Sequence, residues 1–322
     1  MIAEHISTRY IIQYIFTIFK SREQKGAKEA MKKTVFKGVG TALITPFKNG
    51  KIDYPCLKRL IEMQIEASVG AIIIGGTTGE AATLDDNERY ELFERAAEMI
   101  NGRTKLIFGT GTNDTRAAVR HTRCAEEIGC DGALLVTPYY NKGTNEGIYR
   151  HYEEIAKSTN LPIILYNVPS RTGVNLECDL LLRLAEIDNV VAIKEAAGSL
   201  DRLIAVSSLG NKLTLYAGND TEIYTVLSLG GAGVISVVSN LYPEQTVKIT
   251  SSFFKGELAE SLKTQHALLP VIKSLFLETN PAPIKYAMSK KGLCSPEMRL
   301  PMWLPSERSR EKIDEAIFTF EK

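Results

Sequence analysis

The sequence predicts an α/β fold, a (β/α)8 barrel carrying a C-terminal helical appendage. Eight apolar runs of strand length recur along the chain, and each is followed by a cluster of Gly, Thr, Pro or Asn and then by a helical pattern. The runs start roughly 20–35 residues apart, the length of a strand–helix unit. A further observation counts against the alternative, an open doubly wound sheet. No run leads into Gly-x-Gly-x-x-Gly: Gly109-Thr110-Gly111 continues as Thr112-Asn113-Asp114, so the third glycine is missing.

The runs are residues 39–44, 71–75, 106–109, 133–136, 163–166, 190–193, 213–217 and 233–237. A short apolar run bounded by polar residues suits a parallel strand buried on both faces. Leu57, Leu60, Ile61 and Ile65 recur at helical spacing after the first run, and Phe93, Ala96, Ala97 and Ile100 after the second. Thr83-Leu84-Asp85-Asp86 resembles a capping box opening that second helix, and Gly102 and Gly129 stand where helices stop. After the eighth run about 80 residues remain, more than one closing helix needs. Residues 243–255, 257–274 and 284–291 read as helices, with Asn280-Pro281-Ala282-Pro283 as a break, and 313–320 as a last short one. The expected organisation is an N-terminal extension over 1–33, the barrel over 34–255 and a C-terminal helical region over 256–322.

The extension differs from the rest in composition. Arg9 precedes an apolar run over 11–19, and a segment rich in Lys, Glu and Ala follows. The run falls short of the ~20 apolar residues that span a bilayer. It lacks a small-residue cleavage site after it, so a peripheral helix or poorly ordered extension is expected, with Met31 as an alternative start. A targeting segment is the lesser reading.

Of the 322 residues, 44% are hydrophobic and 24% charged, and the net charge is +1, which gives no electrostatic case for nucleic acid or an anionic membrane. The five cysteines are scattered and form no Cys-x-x-Cys, as expected of free thiols in a reducing cytoplasm. His5, His121, His151 and His266 form no metal-spaced pair, so a zinc site is not expected, and no cofactor is expected either.

Val190-Val191-Ala192-Ile193-Lys194-Glu195 is an apolar run that ends on an amine. A lysine at a strand mouth is ordinarily a snorkelling or salt-bridged one. It can also be an amine held partly out of water, ready to attack a carbonyl. Barrel enzymes place reactive groups where strands end and loops begin. The other strand ends here are Thr45-Pro46, Gly75-Gly76-Thr77-Thr78-Gly79-Glu80, Gly109-Thr110-Gly111, Thr137-Pro138-Tyr139-Tyr140-Asn141, Tyr166-Asn167-Val168-Pro169-Ser170-Arg171-Thr172-Gly173, Gly218-Asn219-Asp220 and Ser236. They hold no carboxylate pair and no Ser/His/Asp set. One lysine among hydroxyls is the inventory for covalent catalysis through an imine, with hydroxyls and phenols moving protons. Singly, each of these residues has a plainer use: Thr77 and Thr78 in turn geometry, Tyr139 and Tyr140 as core or interface aromatics, Arg171 as a solvated arginine. Jointly they fall on one face of the expected barrel. The Gly76–Gly79 turn can aim backbone N–H groups at an anionic carboxylate, and Arg171 can grip one bidentately.

Taken together, the motifs around Thr77, Tyr140, Tyr166, Lys194 and Gly218 closely resemble the dihydrodipicolinate synthase family of class I, Schiff-base aldolases and lyases. The resemblance runs from about residue 35 to the C-terminal helices, including Leu300-Pro301-Met302, and leaves out the first thirty residues. It implies condensation of pyruvate with L-aspartate 4-semialdehyde, giving 4-hydroxy-tetrahydrodipicolinate in lysine and diaminopimelate biosynthesis. Lys194 matches the family's imine-forming lysine, Tyr166 its proton donor and acceptor, and Thr77 and Tyr140 the rest of its proton relay. Thr78 and Ile235 match pyruvate-binding positions, Gly218 lies beside the imine, and Arg171 matches the arginine that receives the semialdehyde's carboxylate. The tyrosine at the Tyr140 position reaches into a neighbouring subunit in this family, which implies a homodimer and usually a homotetramer. Members inhibited by lysine use a histidine and a glutamate that are replaced here by Asp86 and Ala117, while Asn113 and Tyr139 remain. Weak or absent lysine feedback is therefore expected.

Sister activities on the same scaffold, N-acetylneuraminate lyase and 2-keto-3-deoxy sugar acid aldolase, share the lysine and the strand-five tyrosine. They resemble the chain less in Thr78 and in Ser170-Arg171-Thr172-Gly173. A catalytically dead barrel would be expected to have lost Lys194 or Tyr166. A nicotinamide-dependent oxidoreductase would need the dinucleotide fingerprint that is missing.

Overall fold

The computed structural model describes residue 32 and residues 34–322, so the expected N-terminal extension, Lys32 apart, and the alternative start at Met31 lie outside the described residues. Eight parallel strands close into a barrel: β1 Gly38–Ala42, β2 Ala71–Ile74, β3 Lys105–Gly109, β4 Gly132–Val136, β5 Ile163–Asn167, β6 Val190–Glu195, β7 Thr214–Ala217 and β8 Gly233–Ser236. Each pairs with its neighbours in sequence, and β8 pairs back onto β1 with Gly38 opposite Gly233. Parallel neighbours need a crossover between them, and the apolar stripes supply it as helices. These are α1 Tyr54–Glu66, α2 Asp86–Ile100, α3 Thr115–Ile128, α4 Asn145–Lys157, α5 Cys178–Leu184, α6 Leu200–Ser207, α7 Ile223–Ser228 and α8 Pro243–Phe254.

Two cores result. One lies between strands and helices, where Leu57, Leu60 and Ile61 of α1 and Phe93, Ala96 and Ile100 of α2 are buried. The other fills the barrel with Ile73, Ile107, Leu134, Ile164, Ala192, Tyr216 and Ile235. Phe36 plugs the end where the strands begin. Its ring stacks on Tyr216 at 4.4 Å, and the Tyr216 hydroxyl donates to the Phe36 carbonyl at 2.7 Å. Gly40 makes the room, since a Cβ there would stand 2.6 Å from the Phe36 ring.

The C-terminal region adds α9 Leu258–Ser274, α10 Ala282–Lys290 and α11 Glu307–Phe320. α9 packs on α8 and α11, and α11 also meets α10. α11 begins six residues before the expected 313, because Ser306 caps it by accepting from the Ser309 N–H at 3.3 Å.

Two further local expectations are corrected, and one short element is added. The box opening α2 is Asp85 with Glu88, each side chain accepting from the other's backbone N–H, whereas the Thr83 hydroxyl turns back to the Glu80 carbonyl. A short antiparallel hairpin, Phe47–Lys48 with Lys51–Ile52, follows β1. β6 runs one residue past its expected end at Lys194, since backbone pairing continues through Lys194 and Glu195 on both sides. Lys194 is therefore held by the sheet and not by a loop.

Candidate active site

β5 and β6 set Tyr166 and Lys194 side by side as register partners. Tyr166 lines the cavity at the strand ends, whereas Lys194 is not among its lining residues and lies against the tyrosine. Lys194 is 5% exposed, and its Nζ sits 4.1 Å from the centroid of the Tyr166 ring. Glu195, one residue on, lies on the opposite face of β6. Its carboxylate is buried and accepts from Asn167 Nδ2 at 2.9 Å, the Ala197 N–H at 2.9 Å and Arg202 Nε at 3.0 Å. Asn167 follows Tyr166, so this network binds the two strands directly behind the tyrosine and the lysine.

Thr77, Tyr166 and Arg171 line one cavity of about 460 Å³ at the strand ends. Thr78 is buried beside it, its Oγ1 accepting from Asn280 Nδ2 at 2.9 Å. The Asn280 carbonyl in turn accepts from the Arg171 guanidinium at 3.1 Å, so this single side chain and its backbone, two residues before α10, touch two of the expected site residues. Ile235 is fully buried in the interior cluster that contains Tyr166. Gly218 ends the β7 segment, its N–H donating to the Glu195 carbonyl at 2.7 Å, and a Cβ there would meet that oxygen at 2.6 Å. Only glycine lets the backbone come so near to the strand that carries Lys194.

Tyr140 stands apart from this group. It is 89% exposed and is not among the residues lining the cavity. Its φ of +68° is left-handed, which is uncommon for a bulky residue and costs roughly 1–3 kcal/mol. Tyr139, its neighbour, lines the cavity together with Pro301 and Met302, and Leu300 and Trp303 beside these are exposed as well. A band of uncovered apolar side chains thus borders the cavity.

The cavity also reaches Arg89 and His121. Burial lowers the pKa of both. His121 Nε2 lies 3.0 Å from Asp86 Oδ1, and that contact holds the Asp86 carboxyl below its usual range. Asp220, after β7, is buried with its pKa raised by burial, and its Oδ2 accepts from the Val237 and Val238 N–H groups at 3.0 and 2.9 Å. It thereby pins the end of β8 next to Ile235. Among the described residues no cluster of His, Cys, Asp or Glu is arranged to hold a metal ion.

The profile of the dihydrodipicolinate synthetase family matches residues 35–319. The chain belongs to this family. It is 46% identical over 290 residues to the 4-hydroxy-tetrahydrodipicolinate synthase of Clostridium novyi, covering 90% of this chain and 98% of that one. With the enzyme of the same name from Thermotoga neapolitana it shares 44% over 282 residues, 86% of this chain and 96% of the other. Among solved structures, the dihydrodipicolinate synthase of Thermotoga maritima superposes with a TM-score of 0.87 at 42% identity, covering 89% of this chain and 99% of that one. A monomeric variant of the synthase matches equally well, at a TM-score of 0.87 and 42% identity over 89% of this chain and 97% of that one. The synthase of Cyanidioschyzon merolae with lysine bound gives 0.86 at 35% identity over 90% and 99%.

Several residues that shape this dihydrodipicolinate synthetase fold around the cavity escaped the sequence reading. Glu80, Glu195 and Asp220 sat inside the quoted motifs, within two residues of Gly79, Lys194 and Gly218 respectively, and that closeness was the available signal. Asn280, Lys285 and Arg299 carried none, because their partners lie some 200 residues away in the chain.

Proposed function

We propose that this enzyme, a lyase of the class I aldolase type, condenses pyruvate with L-aspartate 4-semialdehyde to give 4-hydroxy-tetrahydrodipicolinate, in lysine and diaminopimelate biosynthesis. The observation that carries the reading is the Lys194 amine, buried at the end of a barrel strand against the Tyr166 ring. Lys194 Nζ attacks the ketone carbon of pyruvate, and loss of water leaves an imine. The protonated imine withdraws electrons from the methyl carbon, which gives up a proton and becomes an enamine. That carbon attacks the aldehyde carbon of the second substrate, whose oxygen takes up a proton. The amine of the bound semialdehyde then displaces Lys194 from the imine carbon, which closes the ring and frees the enzyme.

In this reading Tyr166 exchanges the protons, with Thr77 and Tyr140 completing the relay. Thr78, Ile235 and Gly218 hold pyruvate, with Gly218 keeping backbone close to the imine. Arg171 receives the semialdehyde's carboxylate. Tyr140 serves the site of a neighbouring subunit, so the active form is a homodimer or homotetramer. Its exposure, its left-handed backbone and the apolar band beside it support this. The carbon acceptor is a short carboxylated aldehyde and not a sugar chain, because Arg171 supplies a positive charge at the cavity wall. No cofactor takes part. Among the described residues no helix is long and apolar enough to cross a membrane, and we place the enzyme in the cytoplasm.

Borohydride reduction in the presence of pyruvate, followed by peptide mass mapping, tests the central step. A pyruvate-derived adduct on Lys194 is expected; native protein that leaves Lys194 unmodified would sink the proposal.

A further inference from the structure

We propose that Glu80 is a positioning residue for the Thr77–Thr78 hydroxyl pair, and that it acts through a buried ion pair with Lys285 of the C-terminal region. The inference rests on the imine chemistry proposed above. Glu80 follows Thr77-Thr78-Gly79 directly, with φ at +53°. The turn's own hydrogen bonds run from the Gly79 N–H to the Gly76 carbonyl at 3.1 Å and from the Glu80 N–H to the Thr77 carbonyl at 3.1 Å. Such bonds fix the shape of the turn. They do not fix its place relative to Lys194, four strands away around the barrel.

The Thr45 hydroxyl ties the turn to the end of β1, donating to the Gly79 carbonyl at 2.7 Å, and further ties come from residues far along the chain. One Glu80 carboxylate oxygen accepts from Lys285 Nζ, on α10, and the other accepts from the Arg299 N–H at 3.0 Å. The Glu80 side chain is 1% exposed and the Lys285 side chain 0%. Lys285 Nζ also donates to the Glu297 carbonyl at 2.9 Å and lies 4.3 Å from the Phe47 ring centroid. An independent tie reaches Thr78, two residues earlier, from Asn280 Nδ2 to Thr78 Oγ1 at 2.9 Å. The segment around α10 therefore grips the turn at both Thr78 and Glu80. A buried pair of this kind is all or none, because removing one partner strands the other charge out of water. The proposed mechanism gives Glu80 no proton to carry, so its effect on the reaction passes through where it holds Thr77 and Thr78.

The test compares full-length wild type with Glu80→Gln, the double variant Glu80→Gln/Lys285→Met, and Asn280→Ala. Rates are expressed per imine-competent subunit, counted by borohydride trapping with radiolabelled pyruvate, so unfolded protein drops out. The expected result for all three is a kcat per competent subunit at least tenfold lower and a several-fold higher KM for pyruvate, with trapping on Lys194 at saturating pyruvate retained. The double variant, which buries no stranded charge, is expected to regain thermal stability without regaining kcat. Rates per competent subunit within twofold of wild type, or a double variant that regains both, would overturn the inference. Absence of any imine in wild type would instead remove the reaction proposed above.

Discussion

Tyr166 and Lys194 are backbone register partners on adjacent barrel strands, and the lysine amine rests 4.1 Å from the tyrosine's ring centroid. The ring and the hydroxyl of Tyr166 therefore do separate things. The ring lies against the amine, and Tyr166 also lines the cavity, where the proposed mechanism has its hydroxyl exchange protons. Tyr166→Phe keeps the ring and deletes the hydroxyl. We expect kcat to fall by roughly 10²–10⁴, while borohydride still traps pyruvate on Lys194. Loss of trapping in a folded variant would contradict this division.

Tyr140 is exposed in a single chain, so its contribution should cross between subunits. Lys194→Ala and Tyr140→Phe are each expected to be severely impaired alone. Mixed under conditions that exchange subunits, they should recover a fraction of wild-type activity, because some sites combine an intact Lys194 with an intact Tyr140. Mixtures no more active than the separate variants would rule out a shared site.

Arg202 reaches the buried Glu195 carboxylate, with side-chain exposures of 9% and 1%. Arg202→Met leaves that carboxylate with only Asn167 and the Ala197 N–H. A stranded buried charge costs about 3–5 kcal/mol, which should appear as a clearly lower denaturation midpoint. Equal midpoints for variant and wild type would mean that the pair contributes nothing net.

His151 on α4 is buried with its pKa pushed down to about 4 by burial, while its Nδ1 lies 2.9 Å from the Thr115 hydroxyl. In the unfolded chain a histidine protonates near pH 6.5. Between pH 6.5 and 4 the unfolded state therefore binds a proton that the folded state refuses, and stability declines as pH falls through that window. The full effect is up to roughly 3 kcal/mol. His151→Gln should flatten the pH dependence of the urea midpoint between pH 6.5 and 4, and an unaltered slope would exclude His151 as its source.

Asp86 is engaged by His121 and lies 3.9 Å from Arg120, and Ala117 carries no polar group. Neither offers the contacts that the lysine-inhibited pattern provides. Titration with L-lysine is expected to leave activity largely unchanged through the sub-millimolar range, and a midpoint within it would reject this reading.

The sequence by itself determined the barrel, because strand and helix periods depend on neighbours a few residues apart and the strand–helix rhythm repeats eight times. It also marked Lys194, Tyr166, Thr77 and Arg171 as candidates, since residues at strand ends fall inside short motifs. Three-dimensional packing decided what lies between distant segments. It kept Lys194 within β6 through pairing on both sides, and it placed Phe36 under the barrel through a ring stacked on Tyr216. It brought Asn280 and Lys285 onto the turn that bears Thr77 and Thr78. An ion pair between residues 80 and 285 leaves no periodic trace in the chain, because either charge alone looks like an ordinary solvated one until folding takes both out of water.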